Sequence, residues 1–546
     1  MDTVDLKVTE MTAADRMIDA LDELGVRHFL GNGGTDFPAL VRAFSKRQDR
    51  VGGGISPKAI VHENVAVAMA HGCWLAGGGL CAVMVHVTVG TANALCGIMN
   101  AQRDRVPLLM MAGRTPLTET GSDASRNVFI HWGQESFDQG GSLREYVKWD
   151  YEPRVPEQVV PSVCRGVSIA TSEPHGPVYL SLAREHLHAA APALPVETPV
   201  LAAATAAPAT LDALADRIAA AERPLLITSA AGRHPDGFDA VTAFAERWSV
   251  PVVQFRPRSI SMPASSPWHA GYDPHEAIKT ADLILLTDVD VPWIPSRNGA
   301  SGTAHIVALG SDPLQQSYPV WGFAPDTAID APGTQVLAAL ADRPGDAPQR
   351  GNWAARAGQA TDSTGFDFAR ASAVLAEEMP EALFVNENPL DPSQLGIETQ
   401  GRYYSSSPAG GLGWGLGAAL GVKMARPEAD VVCTVGDGAY MFGVPTAFHH
   451  AARRYDLPVL TVVFNNAKWG GVQRSTEASF PDETLTDLAS APFIDLGESP
   501  EFGMICASCG GLGLKARTEV EFRAALTEAR AAIRNGRQAL IDLRFE

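Results

Sequence analysis

Apolar and polar residues along this chain fall into one repeating pattern: a short continuous apolar run, a glycine-bearing turn, then a stretch of helical period. Residues 13–28 carry the helical period, with Gly25 closing the helix. HFLGNGGTDFPALVRAF (28–44) then reads as strand, glycine turn and helix. AIVH (59–62) reads as a short strand, and a helix of small residues starts at Glu63. CAVMVH (81–86) is a strand ending at His86, followed by a helix opening on Gly-Thr-Ala-Asn (90–93) and by a strand in VPLLMMAG (106–113). Residues 126–153 are irregular and rich in polar and aromatic side chains, and a strand at 178–182 closes this block.

From 188 to 210 the composition turns to alanine and proline, which predicts a linker running over the surface. Apolar runs in RPLLITSAAG, VPVVQFRPRS, ADLILLTDVDVPW and TAHIVALGSDP, with helical periods at 211–222 and 237–247, predict a second strand–helix block. A second linker is expected at 341–367. The last block has a helix at 368–379, a strand ending in Glu387-Asn388, and a glycine-rich loop (SSSPAGGLGWGLG, 405–417) that enters a helix. VVCTV (431–435) is a buried strand, Gly436-Asp437-Gly438 turns at its end, and a helix runs to about Arg454. VLTVVF (459–464) is the next strand, ending in Asn465-Asn466. Apolar runs alternating with helices mean parallel strands covered on both faces. The expectation is an α/β chain of three doubly wound parallel-sheet domains, at 1–188, 208–342 and 366–546.

Length supports that division, since 546 residues are too many for one core and suggest roughly three domains. No apolar run approaches the roughly 18–20 residues that span a bilayer, and the acidic N-terminus lacks the blocks of a signal peptide, so a cytoplasmic protein without membrane contact is expected. A net charge of −19 argues against a nucleic-acid partner, which needs clustered Lys and Arg. Seven irregularly spaced cysteines read as reduced core thiols. Cys506 and Cys509 form a CxxC with no second pair at zinc spacing, and neither a metal nor a redox role is expected for them. His449-His450 should pack or face solvent.

The chemistry concentrates between Gly436 and Asn466. Two parallel strands joined by a right-handed crossover lie close in one sheet, so their carboxyl ends share an edge. Asp437 and Asn466 therefore face one crevice, and hard oxygen ligands of that kind suit Mg²⁺ completed by water and diphosphate oxygens. Gly436 lets backbone approach a phosphate, while the new helix aims its N–H groups at the anion. An ordinary strand–helix–strand unit with a polar turn at each strand end is the competing reading. The 27 residues from Gly438 to Asn465, with both motifs at strand ends, make the metal reading the more specific one. Gly33-Gly34 invites a dinucleotide-binding reading, but the third glycine and the acidic residue of that fingerprint are missing; Thr35 could instead line a pocket.

GDG followed by NN at this spacing resembles the signature of thiamine diphosphate (ThDP) enzymes. VHENVAVAMAHG (61–72), the strand ending at His86 before Gly-Thr-Ala-Asn, VKWDYEP (147–153) and SEPHGPVYLSL (172–182) look like the benzoylformate decarboxylases within that family. The whole chain is also generally similar to acetolactate synthases, which normally carry a Gly-Pro-Gly type loop where His86 stands here.

The resemblance implies a pyrimidine-binding, a middle and a diphosphate-binding domain. It makes Glu63 the carboxyl that bonds N1′ of the aminopyrimidine and drives removal of the C2 proton. Leu412 is the apolar wedge that bends the cofactor, with the Gly410 carbonyl facing its 4′ nitrogen. Gly436, Asp437, Gly438 and Asn466 hold the diphosphate and Mg²⁺, and the Lys468 carbonyl is the third metal ligand. The interval before Asn465-Asn466 is about two residues longer than in the decarboxylases and is expected to be a longer helix or turn. His86 relays protons. Thr35, His131, Gln134 and Glu135 are expected at the substrate, and His269 is expected on a surface loop. The middle domain holds FAD or ADP in some members, and no motif here selects either.

A homodimer is the smallest active unit implied, a tetramer the usual one, with Glu63 serving the partner's cofactor. The function implied is ThDP- and Mg²⁺-dependent cleavage or formation of a C–C bond next to a carbonyl. A 2-oxo acid decarboxylase comes first. An acetolactate synthase-like carboligase or a 2-hydroxyacyl-CoA lyase is the alternative, with a 2-oxo acid or an acyl-CoA as the small-molecule substrate. Intact Glu63, Asp437 and Asn466 argue against a non-catalytic relic.

Overall fold

The computed structural model describes residues 11–47, 54–199, 201–202, 204–345, 347–354, 365–481 and 487–545. Parts of both expected linkers, including 355–364, lie outside the described residues. Three parallel sheets with helices on their faces carry the fold. The first holds β1 (His28–Gly31), β2 (Ser56–Ala59), β3 (Ala82–Val85), β4 (Leu109–Arg114), β5 (Asp150–Tyr151) and β6 (Val178–Ala183), in the order β2-β1-β3-β4-β6-β5. The second holds β7 (Pro224–Thr228), β8 (Val252–Gln254), β9 (Leu283–Thr287), β10 (His305–Gly310) and β11 (Thr327–Asp330), in the order β11-β10-β9-β7-β8. The third holds β12 (Leu383–Glu387), β13 (Tyr403–Ser405), β14 (Val431–Gly436), β15 (Leu460–Asn465), β16 (Leu512–Ala516) and β17 (Ala539–Arg544), in the order β13-β12-β14-β15-β17-β16. In each sheet the order reverses between the first and third strands in sequence, the place where open α/β sheets bind ligands outside the carboxyl ends.

Central strands such as β3, β6 and β15 are buried throughout, which is why they read as unbroken apolar runs. The first and third sheets meet through two helices, Glu63–Leu75 and Trp414–Ala425, both rich in small residues. A Cβ on Gly72 would lie 2.1 Å from the Ala418 carbonyl oxygen, and one on Gly421 would lie 2.0 Å from that of Met69. The two backbones touch through these glycines, so the spacing of the two sheets depends on them.

Several expected elements differ. The strand expected at 59–62 is Ser56–Ala59, because its partner β1 ends at Gly31; Ile60 N makes a last bond to Gly31 O before the chain turns. The helix after β3 starts at Val87 rather than at Gly90, with His86 as its N-cap residue. The single helix expected to follow the Gly436-Asp437-Gly438 turn and run to about Arg454 is two helices, Asp437–Phe442 and Pro445–Arg454, the first starting within that turn. Pro445 explains the break: it disfavours right-handed helical conformation at Val444, which adopts φ +51°, and it restarts the helix as its first residue. His269 is not on the surface but buried, edge-on to Tyr272.

The middle sheet is tied to the first by a buried ion cluster. Arg258 Nε meets Asp104 Oδ1 at 3.0 Å, its Nη1 pairs with Asp290, and its carbonyl accepts from Ser405 N at 2.9 Å. His71 Nε2 donates to the same Asp104 at 2.9 Å, and its ring meets Trp414 edge-on. Among the described residues no helix is long and apolar enough to cross a membrane.

Candidate active site

At the reversal point of the first sheet, the turn after β1 lies against the end of β3. Asp36, almost fully buried, accepts a 2.6 Å bond from His86 Nδ1. The turn can come this close because residue 34 is glycine: a Cβ there would fall 2.1 Å from His86 Nδ1. With Nδ1–H committed to the carboxylate, Nε2 is the atom left to exchange a proton, and it faces Gln134 Nε2 at 3.2 Å. Gln134 Oε1 is buried without a hydrogen-bond partner, so turning the amide over would place an acceptor on a protonated Nε2. The Asp36 hydrogen bond, against the effect of burial, holds the His86 pKa above the ordinary imidazole value, with Gln134 and Glu63 adding to it.

A second histidine beside it is set the opposite way. His131 Nδ1 accepts from Asn127 N, so neutral His131 carries its proton on Nε2 and donates it to Thr35 Oγ1 at 3.1 Å. Burial first, then Arg184 and Arg126, lower its pKa. The Thr35 hydroxyl proton is then free to donate outward from an exposed turn. Thr35, His86, His131 and Gln134 thus come together. Glu135 does not join them: Thr115 Oγ1 donates to it at 2.6 Å, and Arg114 and Arg126 pair with it. Glu63, first residue of its helix, accepts a 2.6 Å bond from Asn93, two turns before Asn100 on the Val87–Arg103 helix.

At the reversal point of the third sheet stand Asp437, the Asn465-Asn466 pair and Glu387. Asp437 begins a helix at the end of β14 and is buried. Its Oδ1 accepts from Gly438 N at 2.9 Å, while Oδ2 is buried with no partner. Burial pushes this carboxyl up, partly offset by backbone hydrogen bonds. The β14–β15 register, Gly436 opposite Phe464, sets Asp437 beside the end of β15. Strand alternation splits the asparagine pair there. Asn465 turns inward and donates to Asp542 at 2.8 Å, whereas half-buried Asn466 keeps only Lys468 N on its Oδ1, at 3.2 Å. Glu387, at the end of β12, is fully buried and accepts from Gly413 N and Gly415 N, each at 2.7 Å. Burial pushes its pKa up to about 7. Gly410 (φ +66°) and half-buried Leu412 lie on the loop just before.

This half fits a cation with an anionic ligand. An orphaned, buried carboxylate oxygen is costly unless something pairs with it. Among the described residues no group of three or more His, Cys, Asp or Glu side chains is placed to hold a metal ion, so a hard cation at Asp437 would need carbonyl, carboxamide and ligand oxygens. Cys506 and His449 belong elsewhere. The Cys506 thiol is buried and pushed up to about 12. His449 is pushed down to about 4 by burial and sits between Tyr440 Oη and Gln538 Oε1. His450 is exposed. Sequence reasoning passed over Asp36, Asn93 and Asn100. Asp36 stood beside the Gly33-Gly34 turn already singled out, and that neighbourhood was the one available signal.

Two family models match the chain: "Thiamine pyrophosphate enzyme, N-terminal TPP binding domain" at residues 11–141 and "Thiamine pyrophosphate enzyme, C-terminal TPP binding domain" at residues 392–543, together just over half of it. Among curated proteins, a benzoylformate decarboxylase of Pseudomonas aeruginosa is 28% identical over 501 residues, covering 87% of this chain and 89% of its own length. The acetolactate synthase isozyme 3 large subunit of Escherichia coli is 24% identical over 98% of this chain and 94% of its own. Among solved structures, a thiamine diphosphate-dependent 4-hydroxybenzoylformate decarboxylase from Rhodococcus jostii RHA1 superimposes with a TM-score of 0.81 at 24% identity, covering 98% of this chain and 99% of the other.

Proposed function

The chain belongs to the thiamine pyrophosphate enzymes, and on that premise we propose that it is a Mg²⁺-dependent 2-oxo acid decarboxylase of benzoylformate decarboxylase type. The observation that carries the reading is the Asp36–His86–Gln134 array: a held imidazole whose Nε2 can give and take a proton at the reversal point of the first sheet. Bound thiamine diphosphate supplies an acidic C2–H whose conjugate base adds to a carbonyl and a ring that takes up the electron pair of the bond that breaks.

The chain's own residues do the rest. Asp437 and Asn466, with the Lys468 carbonyl, would hold Mg²⁺, and the backbone from Gly436 to Gly438 would take the diphosphate. Leu412 and the Gly410 carbonyl would lie against the ring end of the cofactor. Glu63 holds a proton at N1′. Thr35, its hydroxyl oriented by His131, meets the substrate carboxylate. His86 Nε2 would supply the proton needed at the carbon that becomes the aldehyde. A homodimer is the smallest active unit in this reading, with Glu63 reaching the partner's cofactor, and a tetramer is the expected assembly. Seven free cysteines suit a reducing cytoplasm.

The second reading is a carboligase or a 2-hydroxyacyl-CoA lyase, favoured by the similarity to acetolactate synthases over nearly the whole chain. Purified protein with ThDP and Mg²⁺ is offered a panel of 2-oxo acids and 2-hydroxyacyl-CoAs, and CO₂, aldehydes and ketols are followed. CO₂ with stoichiometric aldehyde supports the decarboxylase. Ketol in place of aldehyde, or acyl-CoA cleavage without CO₂, supports the second reading instead.

A further inference from the structure

Residues 406–413 join β13 to the Trp414–Ala425 helix and carry Gly410 and Leu412. Three glycines, at 410, 411 and 413, would leave such a segment loose by itself. It is gripped from two sides. From the Val87–Arg103 helix, the buried Asn100 carboxamide donates Nδ2–H to Gly411 O at 2.9 Å. Its Oδ1 accepts from Gly411 N at 3.1 Å and from Ser407 Oγ at 3.1 Å. That amounts to three of the four hydrogen bonds an amide can make, all spent on this loop. From β12, the two Glu387 oxygens each take one backbone N–H, of Gly413 and of Gly415, where the helix begins. An anion at a helix N-terminus is favoured there by the exposed N–H groups. The Val87–Arg103 helix also brings Asn93 to Glu63, so one rigid element touches both the loop and the glutamate.

We propose that Asn100 and Glu387 are positioning residues for the cofactor: they hold 407–413 in shape so that Leu412 and the Gly410 carbonyl stand ready for the ring end of thiamine diphosphate. The proposal rests on the cofactor reading above. A loop ordered in advance loses no freedom on binding, and the gain appears as affinity for the ring end, not for the diphosphate.

The test is calorimetric titration of cofactor-free enzyme with Mg²⁺–ThDP and, separately, with Mg²⁺–pyrophosphate, which reaches the diphosphate subsite alone. Asn100→Ala is expected to weaken ThDP at least tenfold while pyrophosphate affinity stays within about twofold. Unchanged ThDP affinity overturns the proposal, and so does a parallel loss of both ligands, which would mean general collapse. Should Asn100→Ala not fold, Ser407→Ala, which removes one of the three bonds, decides: a selective loss for ThDP supports the clamp and equal affinities sink it. If wild-type protein binds neither ligand, the cofactor reading itself fails, and the clamp with it.

Discussion

Placed side by side, β1–β6 and β12–β17 follow one strand order, 2-1-3-4-6-5 within each set, and meet through the equivalent helix, yet their reversal points carry different chemistry. In the first sheet a carboxylate and an imidazole are spent on each other, Asp36 on His86, leaving one ring nitrogen to move a proton. In the third a carboxylate oxygen of Asp437 is left without a partner, which suits a cation. The connections differ as well. Three residues, 60–62, lead from β2 to the helix that starts at Glu63, and eight, 406–413, lead from β13 to the helix that starts at Trp414. Even the grips correspond: Asn100 follows the third strand of one set and holds Gly411, while Tyr455 follows the third strand of the other and donates to Ala59 O at 3.0 Å. On this shared strand order, the turn residues and the length of the connection are where the two sheets part, and the proposed function draws acid–base chemistry from one and cofactor anchoring from the other.

The largest expected effect removes the anchoring side. Asp437→Ala should abolish Mg²⁺-dependent retention of ThDP, read as cofactor remaining after gel filtration; retention equal to wild type would remove the distinction between the halves. Next comes the acid–base side. His86→Ala should lower kcat by about 10²–10⁴ with ThDP still bound. Asp36→Asn, keeping the shape, should lower the His86 pKa and move the basic limb of the pH–rate profile to lower pH. A profile that does not move would separate Asp36 from proton transfer.

Glu387 offers a contrast in stability rather than rate. Its folded-state pKa, about 7, stands above the ordinary value of 4.5, so between those pH values the folded chain binds more protons than the unfolded one. Stability from this group is complete below about pH 4.5 and is lost as pH rises through 7, on the order of 3 kcal/mol. Cys96 and Cys433 nearby have thiol pKa values raised by burial and stay neutral in that window. Denaturant titrations of Glu387→Gln should lack this slope; the same slope in the variant would place it elsewhere. The smallest effect is Tyr455→Phe, expected to cost about 1 kcal/mol in unfolding while leaving ThDP affinity unchanged. Selective loss of affinity there would mean that the two grips act alike.

Much of this was legible beforehand, for a physical reason. Strands buried on both faces must be apolar throughout, so β3, β14 and β15 announce themselves, and the turns that end β14 and β15 are dipeptide signals read locally. The fold class followed from their alternation with helices. Edge strand β2 was misplaced because its half-exposed residues carry no apolar run. The helix break at Val444 had a visible cause in Pro445, and the apolar period around it concealed the break. Asn100 could not be found in advance, since the loop it holds lies 311 residues away. Asp36 drew no reading and Glu387 only that of a strand end, because the partners that define them, His86 and the Gly413–Gly415 turn, are distant in sequence.

In the proposed function, proton removal falls to Glu63 beside the first sheet and cofactor anchoring to the turn at the end of β14. Hydrogen–deuterium exchange at C2 of bound ThDP, followed by proton NMR after acid quench, tests that division directly. With Glu63→Gln the account predicts ThDP binding close to wild type and C2 exchange slowed by about a hundredfold or more. Exchange at the wild-type rate in a cofactor-loaded Glu63→Gln enzyme would contradict it.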